Sequence, residues 1–297
     1  MKFELTSENP LRITVISGKG GTGKTTVAAQ LSYVLSRIRK IVIADCDVDA
    51  PNLHLLLKPE VVEERPFFGL KKAKIGEKCT SCGLCYELCR FDAIVEENGG
   101  YRIDETRCEG CALCYNACPE KAIEMVEGER GKVYISNTKI GRFVHAVLYP
   151  GEENSGKLVM EVKELARAEA DREGAAAIIV DGAPGIGCPV IASLANTDVA
   201  LVVTEPTLSG LSDMLRILDL TEHFRIRSAV VINKYDLNED VAEEIERKCR
   251  DRGVEVLGRV PYDETLPEQI SMLEFPFRGK AAGEIEKVWD RLREFLS

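Results

Sequence analysis

The 297-residue sequence predicts an α/β fold, a doubly wound and mostly parallel sheet carrying a small α+β insert. Three observations lead there. Short, β-branched apolar runs at 13–17, 41–45, 177–181, 199–204, 229–233 and 256–260 alternate with amphipathic stretches. Continuous apolar strands separated by helices belong to a parallel sheet covered on both faces. Between the second and third of these strands lies a stretch of different composition, where eight of the eleven cysteines form two quartets of one spacing.

The first strand runs into Gly18-Lys19-Gly20-Gly21-Thr22-Gly23-Lys24-Thr25-Thr26 and then into a helix over 27–37. This fits G-x-x-x-x-G-K-[ST] read from Gly18. Glycines let the loop curl so that its N–H groups face phosphate oxygens, Lys24 supplies positive charge, and the Thr25 hydroxyl is a magnesium ligand. Candidate nucleotide-binding residues are therefore Gly18, Gly20, Gly21, Thr22, Gly23, Lys24, Thr25 and Thr26. With Lys19 in place the loop resembles the deviant P-loop of the MinD/ParA/Mrp ATPases, a SIMIBI-class group that includes the nitrogenase iron protein. The resemblance covers about 10–57 and 135–265. It implies that Lys19 reaches across a nucleotide-sandwiched homodimer to the partner's phosphates.

Further motifs extend the resemblance. Asp45-Cys46-Asp47-Val48-Asp49-Ala50-Pro51-Asn52-Leu53 resembles the family's first switch. By position, Asp45 lies near magnesium and Asp47 orients the attacking water, the kind of alignment on which phosphoryl transfer depends. The apolar run 178–180 ending in Asp181 is a Walker B pattern, which puts Asp181 on the magnesium side. Gly182-Ala183-Pro184-Gly185 resembles the second switch. Asn233-Lys234-Tyr235-Asp236 is similar to a base-reading loop, and Pro261 is expected to wall the base. The family's use of that Asn favours adenine, so ATP/ADP with Mg2+ is the expected cofactor set. Lys19, Lys24 and Asp47 are the candidate catalytic residues.

The cysteines read Cys79-x2-Cys82-x2-Cys85-x3-Cys89 and Cys108-x2-Cys111-x2-Cys114-x3-Cys118-Pro119. Three thiolates on a tight loop grip three corners of one iron–sulfur cube, and the fourth ligates the other cube. The expected sets are Cys79, Cys82, Cys85 and Cys118 on one [4Fe–4S] cluster, and Cys108, Cys111, Cys114 and Cys89 on the second. Disulfides would need an oxidising compartment, and zinc sites use pairs rather than a triplet with an offset fourth. Residues 75–128 resemble the two-cluster bacterial ferredoxins, with Arg90 standing where that family usually has Pro. The segment is also an internal repeat, each half a cluster loop, a short helix and a strand.

The expected organisation is an ATPase domain over 1–60 plus 130–297 and an inserted ferredoxin domain over 75–128. Residues 58–78, charged and weakly periodic, read as the connection into the insert, and the return falls near 127–132. The formal net charge of −10 argues against broad attraction to nucleic acid or anionic lipid. Residues 1–12 hold no apolar core of signal-peptide length and no run is long enough to span a bilayer, so the expected location is cytoplasmic. The helical pattern Ile285, Val288, Trp289, Leu292, Phe295 and Leu296, with acids outnumbering bases on its polar side, reads as packing against the domain and makes membrane association unexpected.

Cys46 and Cys249 read as packing residues. Cys188-Pro189 follows the second switch without the second cysteine that a dimer-bridging cluster requires, and Cys188 reads either as a buried packing residue or as a transient ligand for a cluster or other soft metal. Glu152, Glu153, Asn154 and Lys157, in the loop 151–157, either face a partner or substrate or cap and charge a helix start. His54, His145 and His223 form no cluster and take no catalytic role. The resemblances together imply an ATP-gated electron carrier acting on a redox partner. The alternative is an ATP-dependent metallocluster assembly or maturation factor acting on a metallocluster-protein partner. A ParA/MinD-like positioning ATPase is the third reading.

Overall fold

A computed structural model describes residues 9–152, 155–272, 275 and 277–297. Residues 1–8, part of the segment examined for a leader, lie outside the described residues, as do Glu153 and Asn154. In chain order the elements are β1 (Leu11–Ser17), α1 (Lys24–Ser36), β2 (Ile41–Asp45), α2 (Leu53–Leu57), β3 (Glu60–Phe68), β4 (Lys72–Ile75), α3 (Leu84–Leu88), β5 (Ile94–Glu97), β6 (Gly100–Ile103), α4 (Leu113–Ala117) and β7 (Ile123–Val126). There follow β8 (Glu129–Thr138), β9 (Gly141–Leu148), α5 (Ser155–Glu173), β10 (Ala177–Pro184), α6 (Cys188–Leu194), β11 (Val199–Thr204), α7 (Leu208–His223), β12 (Arg227–Asn233), α8 (Glu239–Asp251), β13 (Glu255–Val260), α9 (Thr265–Ser271) and α10 (Lys280–Leu296).

Two compact units result. The first holds the described residues up to Glu64, with Val133–Val147 and Ser155–Ser297. Its sheet runs β13-β12-β11-β1-β10-β2-β9-β8-β3, and β13 through β9 pair in parallel. Alternation along the central strands feeds two cores. Val15, Leu201 and Val203 face α1, α2 and α10, while Ile16, Ala200 and Val202 face α6, α7 and α8. This is the double winding expected of apolar strands buried on both sides. Strand β1 lies between β10 and β11, so the chain order reverses beside it, and loops at such a point open a crevice at the strands' carboxyl ends.

The reading of 58–78 as a connection needs correction, because it holds two strands. Strand β3 is the terminal strand of the sheet and is exposed along most of its length. An edge position accepts Pro66 and a run of charges that a central strand would reject, which is why its pattern does not read as a strand. Strands β8 and β9, joined through Lys139 and Ile140, add a further hairpin at that end of the sheet.

The second unit comprises Arg65–Lys132 and the segment from Leu148. It is built twice: α3 and α4, like β5 and β7, recur 29 residues apart. The left-handed residues repeat at the same offset, Ser81 with Gly110, Gly83 with Ala112, and Asp92 with Lys121. Strand β4 pairs with β7 and β5 with β6, both antiparallel. Ala73, Ile94, Ile103 and Ile123 form the small core, against which Cys85, Cys89, Cys108, Cys114 and Cys118 pack. Glu152 answers the question left by its loop: it accepts from Lys72 Nζ at 2.8 Å and from Arg130 Nη1 at 3.1 Å, all three largely buried. It is therefore a structural counterion.

Helix α10 packs on β13 and α1, with Ile285, Val288, Trp289 and Leu292 buried. A methyl group on Gly258 of β13 would meet Val288 Cγ2 at 2.6 Å, so helix and strand touch closely. No helix among the described residues is long and apolar enough to cross a membrane. Ile285→Ala is expected to lower the stability of this unit by about 2–5 kcal/mol, read as a lower urea midpoint of its unfolding transition. An unchanged midpoint would mean that the helix is not part of the core.

Candidate functional site

The phosphate-type loop leaves β1 and turns into α1 through Gly23, whose φ of 90° is left-handed. A side chain there would also run into the Asn233 amide, so glycine is required twice over. Gly18 is needed for space, since a methyl group would stand 2.5 Å from Asp213 Cβ of α7. Gly20, Gly21 and Thr22 complete the loop, with Gly21 also left-handed at φ 83°, while Thr25 and Thr26 lie in the first turn of α1.

Sheet register brings the carboxylates to the loop. Asp181 of β10 stands beside Val15 of β1 on one side and Asp45 of β2 on the other. Lys24 Nζ lies 2.6 Å from Asp181 Oδ1 and 3.6 Å from Asp47 Oδ2, with Lys24 and Asp181 both buried. Burial works to lower the Lys24 ammonium, but Asp181, Asp47 and Asp45 together hold it above its ordinary value. Asp45 is fully buried and accepts from the Asp47 and Leu53 backbone N–H groups at 3.1 and 3.2 Å. Burial, then the neighbouring Asp181 charge, pushes its carboxyl well above the usual range. Asp47 is raised for the same first reason.

Two buried oxygens in this crevice, Asp181 Oδ2 and Thr22 Oγ1, have no hydrogen-bond partner. An orphaned carboxylate oxygen beside further oxygen donors fits a hard divalent cation such as Mg2+, which uses one or two carboxylates and takes its remaining ligands from water and phosphate. Thr25, Asp45 and Asp181 are the residues of this chain that would serve it. No nearby group of three or more His, Cys, Asp and Glu forms a ready-made metal cage among the described residues.

Lys19 is held by acceptors of its own chain. Its ammonium reaches Glu205 Oε1 at 2.8 Å, Ser209 Oγ at 2.9 Å and Thr207 Oγ1 at 3.3 Å. Lys234 shares Glu205 and also donates to the Gly21 carbonyl at 3.0 Å. Burial would raise the Glu205 carboxyl, but Lys19 and Lys234 hold it below the usual range. Asn233 is buried, with Nδ2 2.7 Å from the Thr22 carbonyl, so the end of β12 braces the loop. Pro261 follows β13 and is half-buried. Glu205, Thr207 and Ser209 lie outside every motif in the sequence. The one signal that points to them is the polar strand-to-helix turn after β11.

In the second unit all eight cysteines of the quartets are free thiols. One cavity is lined by Cys79, Cys82, Cys85 and Cys118, and a second by Cys89, Cys108, Cys111 and Cys114. Backbone N–H groups already donate to sulfur, Ser81 to Cys79 at 3.4 Å and Ala122 to Cys118 at 3.3 Å. A cube presents four irons and takes one thiolate at each, so its ligands ring a space rather than converge on a single ion. The donor set and the four-and-four division fit such a group. Cys46 and Cys249 are buried, their thiols pushed up to about 12 first by burial. Cys188 is exposed at the start of α6. His145 is stacked among Phe143, Tyr134 and His54, and burial lowers it to about 4.

The winding of the sheet and the loop after β1 define an α/β protein with a phosphate-binding loop. The chain belongs to the family described as the CobQ/CobB/MinD/ParA nucleotide binding domain, whose model matches residues 13–277. An uncharacterised protein of Methanocaldococcus jannaschii is 31% identical over 288 residues, 96% of this chain and 98% of its own length. An uncharacterised ATP-binding protein of the same organism is 25% identical over 287 residues, 93% of this chain and 95% of its own. Among solved structures, the septum site-determining protein MinD of Pyrococcus horikoshii, complexed with Mg-ADP, matches with TM-score 0.60 and 18% identity, covering 97% of this chain and 98% of that one. The cell division ATPase MinD of Pyrococcus furiosus matches with TM-score 0.58 and 20% identity, covering 97% and 100%.

Folded Asp45 keeps its proton more tightly than the unfolded chain does. Above the ordinary carboxylate range the folded state therefore holds the extra proton, and stability falls as pH rises until Asp45 ionises in the fold. Asp45→Asn is expected to flatten this fall in melting temperature against pH, measured without nucleotide or magnesium. An unchanged slope would assign it to other groups.

Proposed function

We propose that the chain is a magnesium-dependent ATPase, working as a homodimer, whose nucleotide switch governs electron transfer through two [4Fe–4S] clusters. The observation that carries the reading is the division of eight free cysteines, four to each of two cavities, in a chain that also carries the Lys24–Asp181 crevice. In the ATPase unit, loop N–H groups from Gly18 to Thr26 cradle phosphate and Lys24 neutralises it. Thr25, Asp45 and Asp181 serve the magnesium, and Asp47, on the rim of the crevice, orients water for in-line attack. Asn233 and Pro261 border the base. Lys19 exchanges its own-protomer acceptors for a partner's phosphates.

ATP is favoured over GTP by the relative described as ATP-binding and by the Mg-ADP complex of a protein of the same fold. Cys79, Cys82, Cys85 and Cys118 would hold one cluster, and Cys89, Cys108, Cys111 and Cys114 the other. When bound, the two clusters supply one-electron transfer. Along the chain the cysteine unit comes after the first switch, separated from it by α2 and β3, and this order alone suggests the link between nucleotide state and redox state. Exposed Cys188 favours a second reading, metallocluster assembly, in which this thiol receives a soft metal or a cluster.

Lys24→Ala is expected to abolish ATP hydrolysis, and Lys19→Ala to abolish ATP-dependent dimerisation measured by light scattering. Hydrolysis by the Lys24 variant at the unaltered rate would refute the phosphate role. Anaerobically prepared protein should carry about eight iron atoms per chain. Cys89→Ala should remove the same electron paramagnetic resonance signal as Cys108→Ala, leaving the signal that depends on Cys79. Loss of the Cys79-dependent signal instead would break the crossed assignment. Transfer of iron and sulfide to an apo-acceptor, in place of reduction of a one-electron acceptor, would favour assembly.

A further inference from the structure

The 29-residue repeat allows the two cysteine cavities to be compared wall by wall. Each is closed by the last residue of a short strand, Ile75 in the first and Ile103 in the second. Each also has one acidic residue in its wall, Glu120 in the first and Glu109 in the second, so formal charge does not separate them. The second residue of each strand differs. Tyr101 of β6 lines the cavity of Cys79, Cys82, Cys85 and Cys118, whereas Ala73, at the same place in β4 and 28 residues earlier, lines that of Cys89, Cys108, Cys111 and Cys114. The phenol end of Tyr101 lies over the cysteine loop: a methyl group built on Gly83, between Cys82 and Cys85, would stand 2.9 Å from the Tyr101 hydroxyl oxygen. Tyr86 packs beside its ring, with centroids 5.5 Å apart, and holds it there. Ala73 is buried and has no polar atom to offer.

We propose that Tyr101 makes the two sites unequal, its hydroxyl donating to the thiolate set of Cys79, Cys82, Cys85 and Cys118 so that this site is reduced first. The inference rests on the two-cluster reading above. Reduction adds negative charge, and a hydrogen bond to a thiolate is stronger when the acceptor carries more charge, so the donor raises the reduction potential of its own site. The electron comes from an external one-electron donor, and no covalent bond forms or breaks. Thr80 adds a second hydroxyl to the same cavity. Tyr101→Phe isolates the phenol's share, because it keeps the ring and removes only the donor.

The test is a redox titration of the full chain, prepared anaerobically and followed by electron paramagnetic resonance, with dithionite as reductant. Wild type should show two [4Fe–4S] signals with separate midpoints, and Cys118→Ser identifies the signal of the first set. In Tyr101→Phe the higher midpoint should fall and the lower stay. The first site's equilibrium share of the electron should drop about tenfold, which is 59 mV for one electron. Tyr115→Phe, exposed on α4 and lining neither cavity, should change neither midpoint. Coincident wild-type midpoints, or a Tyr101→Phe variant that moves neither or both, would overturn the proposal. Fewer than two clusters in wild type would instead overturn the two-cluster reading beneath it.

Discussion

The crevice of the first unit is organised around one buried lysine. Lys24 is the first residue of α1, and its ammonium lies against Asp181 while Asp47 stands within ion-pair range. Asp45 adds a third carboxyl, fully buried. Three acidic groups gathered around one cation would repel one another if all were ionised, and a buried charge without a partner is costly. The Asp45 carboxyl is accordingly raised, first by its burial and then by the neighbouring Asp181 charge. A divalent cation bound there would bring positive charge to these carboxylates. The sheet order is what makes this possible, since only with β10 between β1 and β2 do the loop, Asp45 and Asp181 meet at one end.

The second unit meets a different constraint. Its central cluster of Ala73, Ile94, Ile103 and Ile123 is small, with Ile75, Tyr101 and Met125 packed against it, and a small core gives limited stability by burial. Five of the cysteines complete that core, and the buried Lys72, Arg130 and Glu152 fasten the segment after β9 to it. A hydrophobic side chain in place of any of those thiols would fill the cavity that the quartet surrounds. The left-handed residues at equal offsets show how the loops are bent: each triplet is turned by the same backbone reversals, and the fourth cysteine is thrown toward the opposite loop. Duplication of a short unit explains the equal offsets, and divergence at Tyr101 and Ala73 is where the halves cease to be equivalent.

The central strands, the glycine loop and the cysteine quartets are legible in the sequence because each is local. A strand buried on both faces must be apolar throughout, and a loop that reverses its backbone must have Gly21 and Gly23. Neither depends on what lies far along the chain. Strand β3 is not legible, because an exposed edge imposes no alternation. The acceptors of Lys19 are not legible either, since Glu205, Thr207 and Ser209 come from 186 to 190 positions away and become neighbours only through the pairing of β1 with β11. The same pairing logic hides the role of Glu152, which reads as a loop carboxylate and functions as the counterion of two buried bases. Asn233 reads as a base contact by resemblance, while its position adds a second task, holding the Thr22 carbonyl.

The two lysines of the loop differ in what it costs to move them. Lys24 is sealed with Asp181, and separating that pair would leave a buried carboxylate unpaired. Lys19 is partly exposed, and an ion pair in that setting contributes about 0–1 kcal/mol. Its contacts with Glu205, Ser209 and Thr207 are therefore exchangeable for phosphate oxygens at little cost. Glu205 also does not become an orphan when Lys19 leaves, because Lys234 remains beside it at 3.4 Å. Lys234 in turn donates to Gly21, so the brace on the loop survives the exchange. The loop thus carries one lysine sealed against buried acids and one whose contacts are exchangeable.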